Sequence, residues 1–178
     1  MKKYLTIMSI FLVFFLVFIT FLGINSKNKK SIKPFSFQVK LEKNSEFPPI
    51  VLESLDGKKE LSTSILDPNK KTLFVIAAEW CPDCQIELPE LEKFYKNNKD
   101  KYNFVVVFIQ NRSSETKVSD YVKKSEFSFP VYYDFSGEIV KGTNIEAVPT
   151  NIFINSSGKI DEVFVQTMME ENFKKTLN

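Results

Sequence analysis

The residues of this chain best suited to chemistry are its only two cysteines, Cys81 and Cys84, which are three positions apart. The sequence contains no histidine, so a zinc site would need carboxylates as its remaining ligands, and no Cys–His or Ser–His catalytic pair can form. A disulfide that closes so short a loop constrains the unfolded chain little. The pair therefore favours reversible thiol–disulfide exchange, and we expect no metal and no bound cofactor.

The sequence around the cysteines predicts that they lie where a strand passes into a helix. Residues 73–78, LFVIAA, are typical of a buried strand, and apolar residues recur at helical spacing from 88 to 95. The free N–H groups of a helix N-terminus favour an anion, which makes Cys81 the predicted attacking thiolate. Cys84 follows one turn later on the same face and is the predicted resolving thiol.

Three neighbours of the cysteines are predicted to adjust the site. Pro82 suits the first turn of a helix and stiffens the loop. Asp83 interacts favourably with the helix dipole, but its charge opposes a thiolate at Cys81. Trp80, the only tryptophan, is predicted to form an apolar lip for the substrate, and plain core packing is the alternative.

The elements that must position these residues predict one α/β domain. A second apolar run at 104–109 follows the helix, which gives a right-handed βαβ unit with the cysteines at the carboxyl end of its first strand. Further predicted elements are strands at 35–41 and 50–55, a turn at Asp56-Gly57, a helix at 115–125, a hairpin of 150–154 with 160–165, and a helix at about 168–177.

Composition limits the function classes further. Hydrophobic residues make up 43% and charged residues 26%, which is typical of a globular domain. The 24 basic and 22 acidic residues leave a net charge of +2, so we expect no nucleic-acid partner.

The amino-terminal segment predicts a membrane anchor. Residues 5–24 contain no charge, and a helix of that length crosses about 30 Å of hydrocarbon. No small-residue cleavage site or lipid-accepting cysteine follows, so we predict an uncleaved anchor at 1–24, a polar stalk and lead-in at 25–40, and one domain at 41–178.

The positions of the lysines alone lean against export of the domain, because more of them follow the apolar segment than precede it. We nevertheless expect a single-pass membrane protein with its domain outside the cytoplasm. A dithiol that the cytosol keeps reduced would not need tethering.

The longer pattern W-C-P-D-C-Q-I-E-L-P resembles the TlpA/ResA-like, membrane-anchored branch of the thioredoxin superfamily. The likeness extends over about residues 45–165 and includes F-P-V-Y-Y-D at 129–134 and the segment Val148-Pro149-Thr150. It implies a thioredoxin-like fold, in which a central mixed sheet is flanked by helices.

The resemblance also implies roles for individual residues. Pro149 is expected to follow a cis peptide bond and to lie against the cysteines, with the backbone of Val148 pairing with a substrate peptide. Glu87 matches the family's active-site glutamate and would exchange protons with Cys84, although a solvated helix glutamate is the alternative. Val75 stands where cytosolic thioredoxins have a buried aspartate, so that role is absent or passes to Glu87.

The expected function is an extracytoplasmic thiol–disulfide oxidoreductase that acts on exported proteins or peptides and is recycled by a membrane redox partner. A C-P-x-C pair with valine before the key proline resembles the DsbA-type oxidants, which favours oxidation or isomerisation. The alternatives are a disulfide reductase, for example in cytochrome c maturation, and a non-catalytic accessory protein for peptide export.

Overall fold

The computed structural model of the protein describes residues 38–177. Its strands are β1 (Val51–Glu53), β2 (Lys59–Leu61), β3 (Thr72–Ala77), β4 (Asn103–Ile109), β5 (Val131–Asp134), β6 (Thr150–Ile154) and β7 (Ile160–Phe164). Its helices are α1 (Ser62–Ile65), α2 (Pro82–Asn98), α3 (Glu115–Ser125), α4 (Glu138–Thr143) and α5 (Glu170–Leu177).

The core is a five-stranded mixed sheet in the order β5-β4-β3-β6-β7. β3 is parallel to β4 and antiparallel to β6, and every residue of β3 is buried. A strand covered on both faces needs apolar side chains on both, which explains its unbroken apolar run. The predicted central strand and the βαβ unit are confirmed, and the carboxyl end of β3 delivers the chain to the cysteines.

Helices flank this sheet, and aromatic side chains join two of them. Phe94 of α2 stacks on Phe173 of α5 with ring centroids 5.7 Å apart, and both side chains are fully buried. A buried aromatic side chain removes about 150–250 Å² from water, so such contacts dominate the packing of a small domain. They hold α2, and therefore its amino-terminal turn, against the core.

Both edges of the sheet are partly covered by the chain that precedes them. A bridge between Ser54 and Tyr132 joins the β1–β2 hairpin to β5, and the predicted turn at Asp56-Gly57 lies in that hairpin. At the other edge, Asn44 N donates to Ile160 O and Ile160 N donates to Ser45 O, at 2.7 and 2.8 Å.

The predicted strand at 35–41 is wrong in its described part. Residues 38–41 form no strand, because they make single bonds to α4 rather than a ladder: Val39 N donates to Gly142 O at 2.8 Å. Residues 35–37 lie outside the described residues.

Four short elements were not predicted, namely β2, α1, β5 and α4. Each is six residues or fewer, which is too short for a periodic pattern to distinguish a strand from a helix. The last helix begins at Glu170 rather than near 168.

The predicted anchor at 5–24 and most of the stalk also lie outside the described residues. Within residues 38–177, none of the helices has the length and apolar character needed to cross a membrane.

Candidate active site

Cys81 and Cys84 lie in the first turn of α2. Cys81 is the N-cap residue, with extended backbone (φ −82°, ψ 122°), and Pro82 begins the helix. Both thiols are free, Cys81 is 6% exposed and Cys84 is fully buried. The more exposed thiol is the one predicted to attack, and a macromolecular substrate can reach Cys81 more readily than the fully buried Cys84.

The segment before β6 completes the site opposite Cys81. The Val148–Pro149 peptide bond is cis, as the family resemblance implied, and Pro149 is buried. The Cys81 thiol donates to the carbonyl oxygen of Val148 at 3.3 Å. The sequence-predicted residues at 81 and at 148–149, which are far apart in the chain, are therefore in direct contact.

An apolar cavity of about 390 Å³ opens beside Cys81. Its lining includes Trp80, Val140, Ile145 and Val148. A cavity of this size can take one or two side chains of a bound polypeptide.

Trp80 is half-buried and is fixed from two sides. Its indole N–H donates to Asn111 O at 2.8 Å, and the guanidinium of Arg112 lies 4.5 Å from the ring centroid. A cation at this distance makes a favourable cation–π interaction with the ring. Both contacts fix the Trp80 side chain, which forms one wall of the cavity.

A buried carboxyl group lies behind Cys84. Glu87 follows it by three positions on α2 and is fully buried. Its Oε2 accepts from Met168 N at 2.7 Å and from Asn151 Nδ2 at 3.1 Å. The solvated alternative for Glu87 is therefore wrong.

Burial raises the pKa of Glu87 to about 7, against the opposing effect of the two hydrogen bonds. Burial likewise raises the pKa of the Cys84 thiol well above its ordinary value, and Glu87 adds to that rise. A buried thiol that must ionise, next to a carboxyl that titrates near neutral pH, can exchange a proton with it.

The remaining predicted residues lie at the surface of the same turn. Pro82 and Asp83 are exposed. The carboxylate of Glu79, just before the motif, accepts from Ser113 Oγ at 2.7 Å. Two carboxylates, those of Glu79 and Asp83, thus flank Cys81 in the sequence.

Sequence reasoning missed two residues of the site, Asn151 and Met168. Asn151 is fully buried, and it is an amide directly before the apolar residues 152–154 of β6, which was a usable signal. Met168 contributes only its backbone N–H, and nothing in its side chain could have indicated that.

The comparisons with known proteins agree with this geometry. A family model described as Redoxin matches residues 42–177. Sporulation thiol-disulfide oxidoreductase A of Bacillus subtilis is 28% identical over 137 residues, which are 75% of this chain and 81% of that protein. Thiol-disulfide oxidoreductase ResA of Bacillus cereus is 29% identical over 144 residues, or 80% of this chain and 79% of that one. The crystal structure of StoA from Bacillus subtilis matches with a TM-score of 0.65 and 26% identity, covering 74% of this chain and 97% of that one.

Proposed function

Because this chain belongs to the Redoxin family and is a thioredoxin-like thiol–disulfide oxidoreductase, we propose that it exchanges disulfides with exported proteins or peptides outside the cytoplasm. The observation that carries the proposal is the position of Cys81. Its thiol lies at a helix N-terminus, contacts the carbonyl of Val148 and borders an apolar cavity.

The reaction proceeds through a mixed disulfide. When the substrate is reduced, the Cys81 thiolate attacks one sulfur of the substrate disulfide, and the other substrate sulfur leaves as a thiolate. Cys84 then attacks the Cys81 sulfur, which releases the second substrate thiol and leaves a Cys81–Cys84 disulfide. Oxidation of a substrate is the same sequence in reverse.

The substrate binds across the face formed by Trp80, Val148 and Pro149. The backbone of Val148 pairs with an extended substrate segment beside Cys81, and an apolar substrate side chain enters the cavity against Trp80. This assignment is supported by the apolar lining and by the contact between Cys81 and Val148.

Pro82, Asp83 and Glu87 adjust the reactivity of the pair. Pro82 fixes the first turn of α2, and Asp83 places a carboxylate beside the attacking thiol. Glu87 accepts the proton that Cys84 must lose before it can attack. This role of Glu87 is supported by its full burial one helical turn from Cys84 and by its pKa, which burial raises to about 7.

The proposed direction of the reaction is disulfide formation or isomerisation, because the C-P-D-C motif and Val148-Pro149 resemble those of DsbA-type oxidants. Reduction, for example in cytochrome c maturation, is favoured by a different observation. Glu79 and Asp83 place two carboxylates next to the pair in sequence, and negative charge opposes the thiolate that stabilises the reduced form of strong oxidants.

The reduction potential decides between these directions. We would titrate the full chain in detergent with glutathione buffers and follow the fluorescence of Trp80, which adjoins Cys81. A potential of about −120 to −180 mV means an oxidant or isomerase, and one of about −270 mV means a reductase.

The two cysteines are separated by a trapping experiment. With a peptide that contains one disulfide, Cys84→Ser should accumulate a covalent Cys81–peptide adduct, and Cys81→Ser should form none by mass spectrometry. Full rescue of a deletion phenotype by the double Cys81→Ser, Cys84→Ser variant would overturn the enzymatic role and leave the accessory role.

The proposed location is the cell membrane, with residues 1–24 as a single-pass anchor, 25–40 as stalk and lead-in, and 41–178 as the exported domain. It is supported by the uncharged apolar run at 5–24. A membrane redox partner then restores the cysteine pair after each cycle. Labelling of intact, reduced cells with a membrane-impermeant thiol reagent tests this location. If Cys81 is labelled only after the cells are lysed, the domain lies inside the cytoplasm.

A further inference from the structure

Two buried oxygen atoms near the cysteines lack partners. Within residues 38–177, Glu87 Oε1 and Asn151 Oδ1 are the buried side-chain atoms that make no hydrogen bond. Both residues are fully buried. Buried polar groups are normally paired, because an unpaired one costs about 1–3 kcal/mol, so two acceptors without a donor need an explanation.

The second polar atom of each side chain, Glu87 Oε2 or Asn151 Nδ2, does form hydrogen bonds. Asn151 Nδ2 donates to Glu87 Oε2 at 3.1 Å, and Met168 N donates to the same oxygen at 2.7 Å. The amide orientation of Asn151 is fixed by this arrangement, since its NH₂ group faces a carboxyl oxygen. A carboxyl group and a primary amide have the same planar shape, so a second hydrogen bond between Glu87 Oε1 and Asn151 Oδ1 would close a planar pair with the first.

A proton on Glu87 Oε1 would satisfy both atoms at once. A neutral carboxyl group has one O–H donor, which an ionised one lacks. Donated to Asn151 Oδ1, it completes a pair of antiparallel hydrogen bonds between acid and amide.

We propose that Glu87 and Asn151 form an acid–amide pair whenever Glu87 is protonated, in which the O–H group on Oε1 donates a hydrogen bond to Asn151 Oδ1, so that Asn151 is a positioning residue for proton transfer at Cys84. The inference rests on the proposed function, because it assigns the site that receives the proton of the resolving thiol.

The surroundings of the pair favour the neutral acid. Burial is the largest cause of the raised pKa of Glu87, and Asp83, the charged neighbour on the same helix, raises it further. The groups that face Glu87 from β6 and from the segment before α5 are the Asn151 amide and the Met168 backbone, and neither is charged. Asn151 also stands directly opposite Val75 in the pairing of β6 with β3.

The proton balance of the resolving step defines what the pair does. The step starts from the ionised Glu87 carboxylate, which is well populated near neutral pH because the pKa of Glu87 is about 7. The Cys84 S–H bond breaks and its proton passes to Glu87 Oε1, while the Cys84 sulfur attacks Cys81. The Cys81–substrate disulfide breaks, its electron pair leaves with the substrate thiolate, and the Cys81–Cys84 bond forms. Asn151 Oδ1 then accepts the hydrogen bond of the new O–H group, and in the reverse direction the proton returns to Cys84.

Infrared difference spectroscopy of the full chain in detergent tests the pair directly. Spectra are taken between about pH 9 and pH 5, and the carbonyl band of protonated Glu87 is assigned by its loss in Glu87→Gln. A carbonyl whose O–H group is hydrogen-bonded absorbs at lower wavenumber than one whose O–H is free. Asn151→Leu removes the Nδ2 bond to Oε2 together with the Oδ1 acceptor, so we expect the band to shift to higher wavenumber if the amide bonds the neutral acid. The asparagine carbonyl signal described below decides whether Oδ1 is the acceptor.

The matched control is Thr150→Val, which removes a buried hydroxyl from the neighbouring position of the same strand and its bond to Ala147 O. It should leave the Glu87 band in place. A band that stays in place in Asn151→Leu, or that shifts equally in both variants, overturns the proposal.

A second measurement uses the wild-type side chain, in case Asn151→Leu does not fold. In protein labelled with ¹³C-asparagine and ¹³C-threonine, Thr143-Asn144 and Thr150-Asn151 are the two Thr–Asn pairs. Asn144→Gly distinguishes them, and the exposed Asn144 serves as internal reference.

The side-chain carbonyl signal of Asn151 should move downfield as pH falls, with the midpoint of Glu87, because its oxygen gains a hydrogen bond. An upfield movement would mean that Asn151 acts only as a donor to the carboxylate, and no movement would mean that the pair does not form. Neither readout depends on exchange activity. If the protein does not react with disulfides, the proposed function is overturned. The spectra still show whether the Glu87–Asn151 hydrogen-bonded pair forms.

Discussion

Replacing Glu87 with glutamine should make the protein more stable at alkaline pH. Burial raises the pKa of Glu87 from 4.5 to about 7. One pKa unit corresponds to about 1.4 kcal/mol, so the ionised carboxylate costs the fold about 3 kcal/mol. Glutamine keeps the shape of the neutral acid: its oxygen can accept from Met168 N and its NH₂ group can donate to Asn151 Oδ1.

The sign of the pH dependence follows from proton uptake. Below pH 4.5 the folded and unfolded chains both hold the proton. Between 4.5 and about 7 the folded chain keeps a proton that the unfolded chain loses, so the free energy of unfolding falls as pH rises. Above about 7 the loss is complete. The gain from Glu87→Gln should therefore grow from about pH 5 to pH 9 by most of that ~3 kcal/mol.

The assay is urea unfolding of the reduced full chain in detergent, for wild type and variant at each pH. Glu92→Gln, on the same helix, is the matched control. Burial opposes its ionisation, but hydrogen bonds from the side chain and backbone of Ser128 outweigh burial and lower the pKa of Glu92. Its stabilisation is lost only as pH falls through that lowered value, so Glu92→Gln should cost the same amount from pH 5 to pH 9. A stability difference for Glu87→Gln that does not change with pH would refute the reasoning.

Three further predictions concern the surface of the site. Trp80→Ala should raise the KM for a peptide substrate roughly tenfold, whereas Trp80→Phe should retain most of the binding, and equal KM values for both would contradict the role of the ring. Asp83→Asn should raise the reduction potential, because it removes negative charge beside Cys81; an unchanged potential in glutathione titration argues against that effect. Gly137→Ala should lower the free energy of unfolding by about 1–3 kcal/mol in urea, since φ is +68° and the new Cβ would lie 2.5 Å from the amide of Gln110.

The sequence was sufficient for those parts of the fold whose residues are uniform in character. The continuous apolar runs within β3 and β4 favour strands covered on both faces, and their parallel pairing follows from the βαβ connection. The alternation of apolar and polar residues at 35–41 led to a wrong strand prediction. A period of two indicates only which side chains face inwards. It does not record whether the backbone finds a partner, and residues 38–41 bond to α4 instead of a strand.

The site was predictable where a single residue type performs the chemistry, as at Cys81 and Cys84. The cis bond before Pro149 came from the family resemblance, since the residues alone would have favoured trans. The partners of Glu87 were beyond reach, because they depend on how β6 and the segment before α5 pack against α2. Whether a glutamate on an amphipathic helix is solvated or buried is decided by that packing, and the helix pattern does not contain it.

The covered edges of the sheet also determine where an unfolded polypeptide can add itself to this domain. An exported chain that has not yet folded offers many extended segments, and any exposed sheet edge is a template for them. Here β5 is bridged by Ser54, the start of β7 is bonded to residues 44–46, and β7 continues with the charged Asp161 and Glu162. Strand addition at these edges is thereby discouraged. Under the substrate role proposed for Val148, the backbone of a substrate pairs next to the thiol and not at these edges. The covered edges then also limit aggregation of the domain with its own substrates.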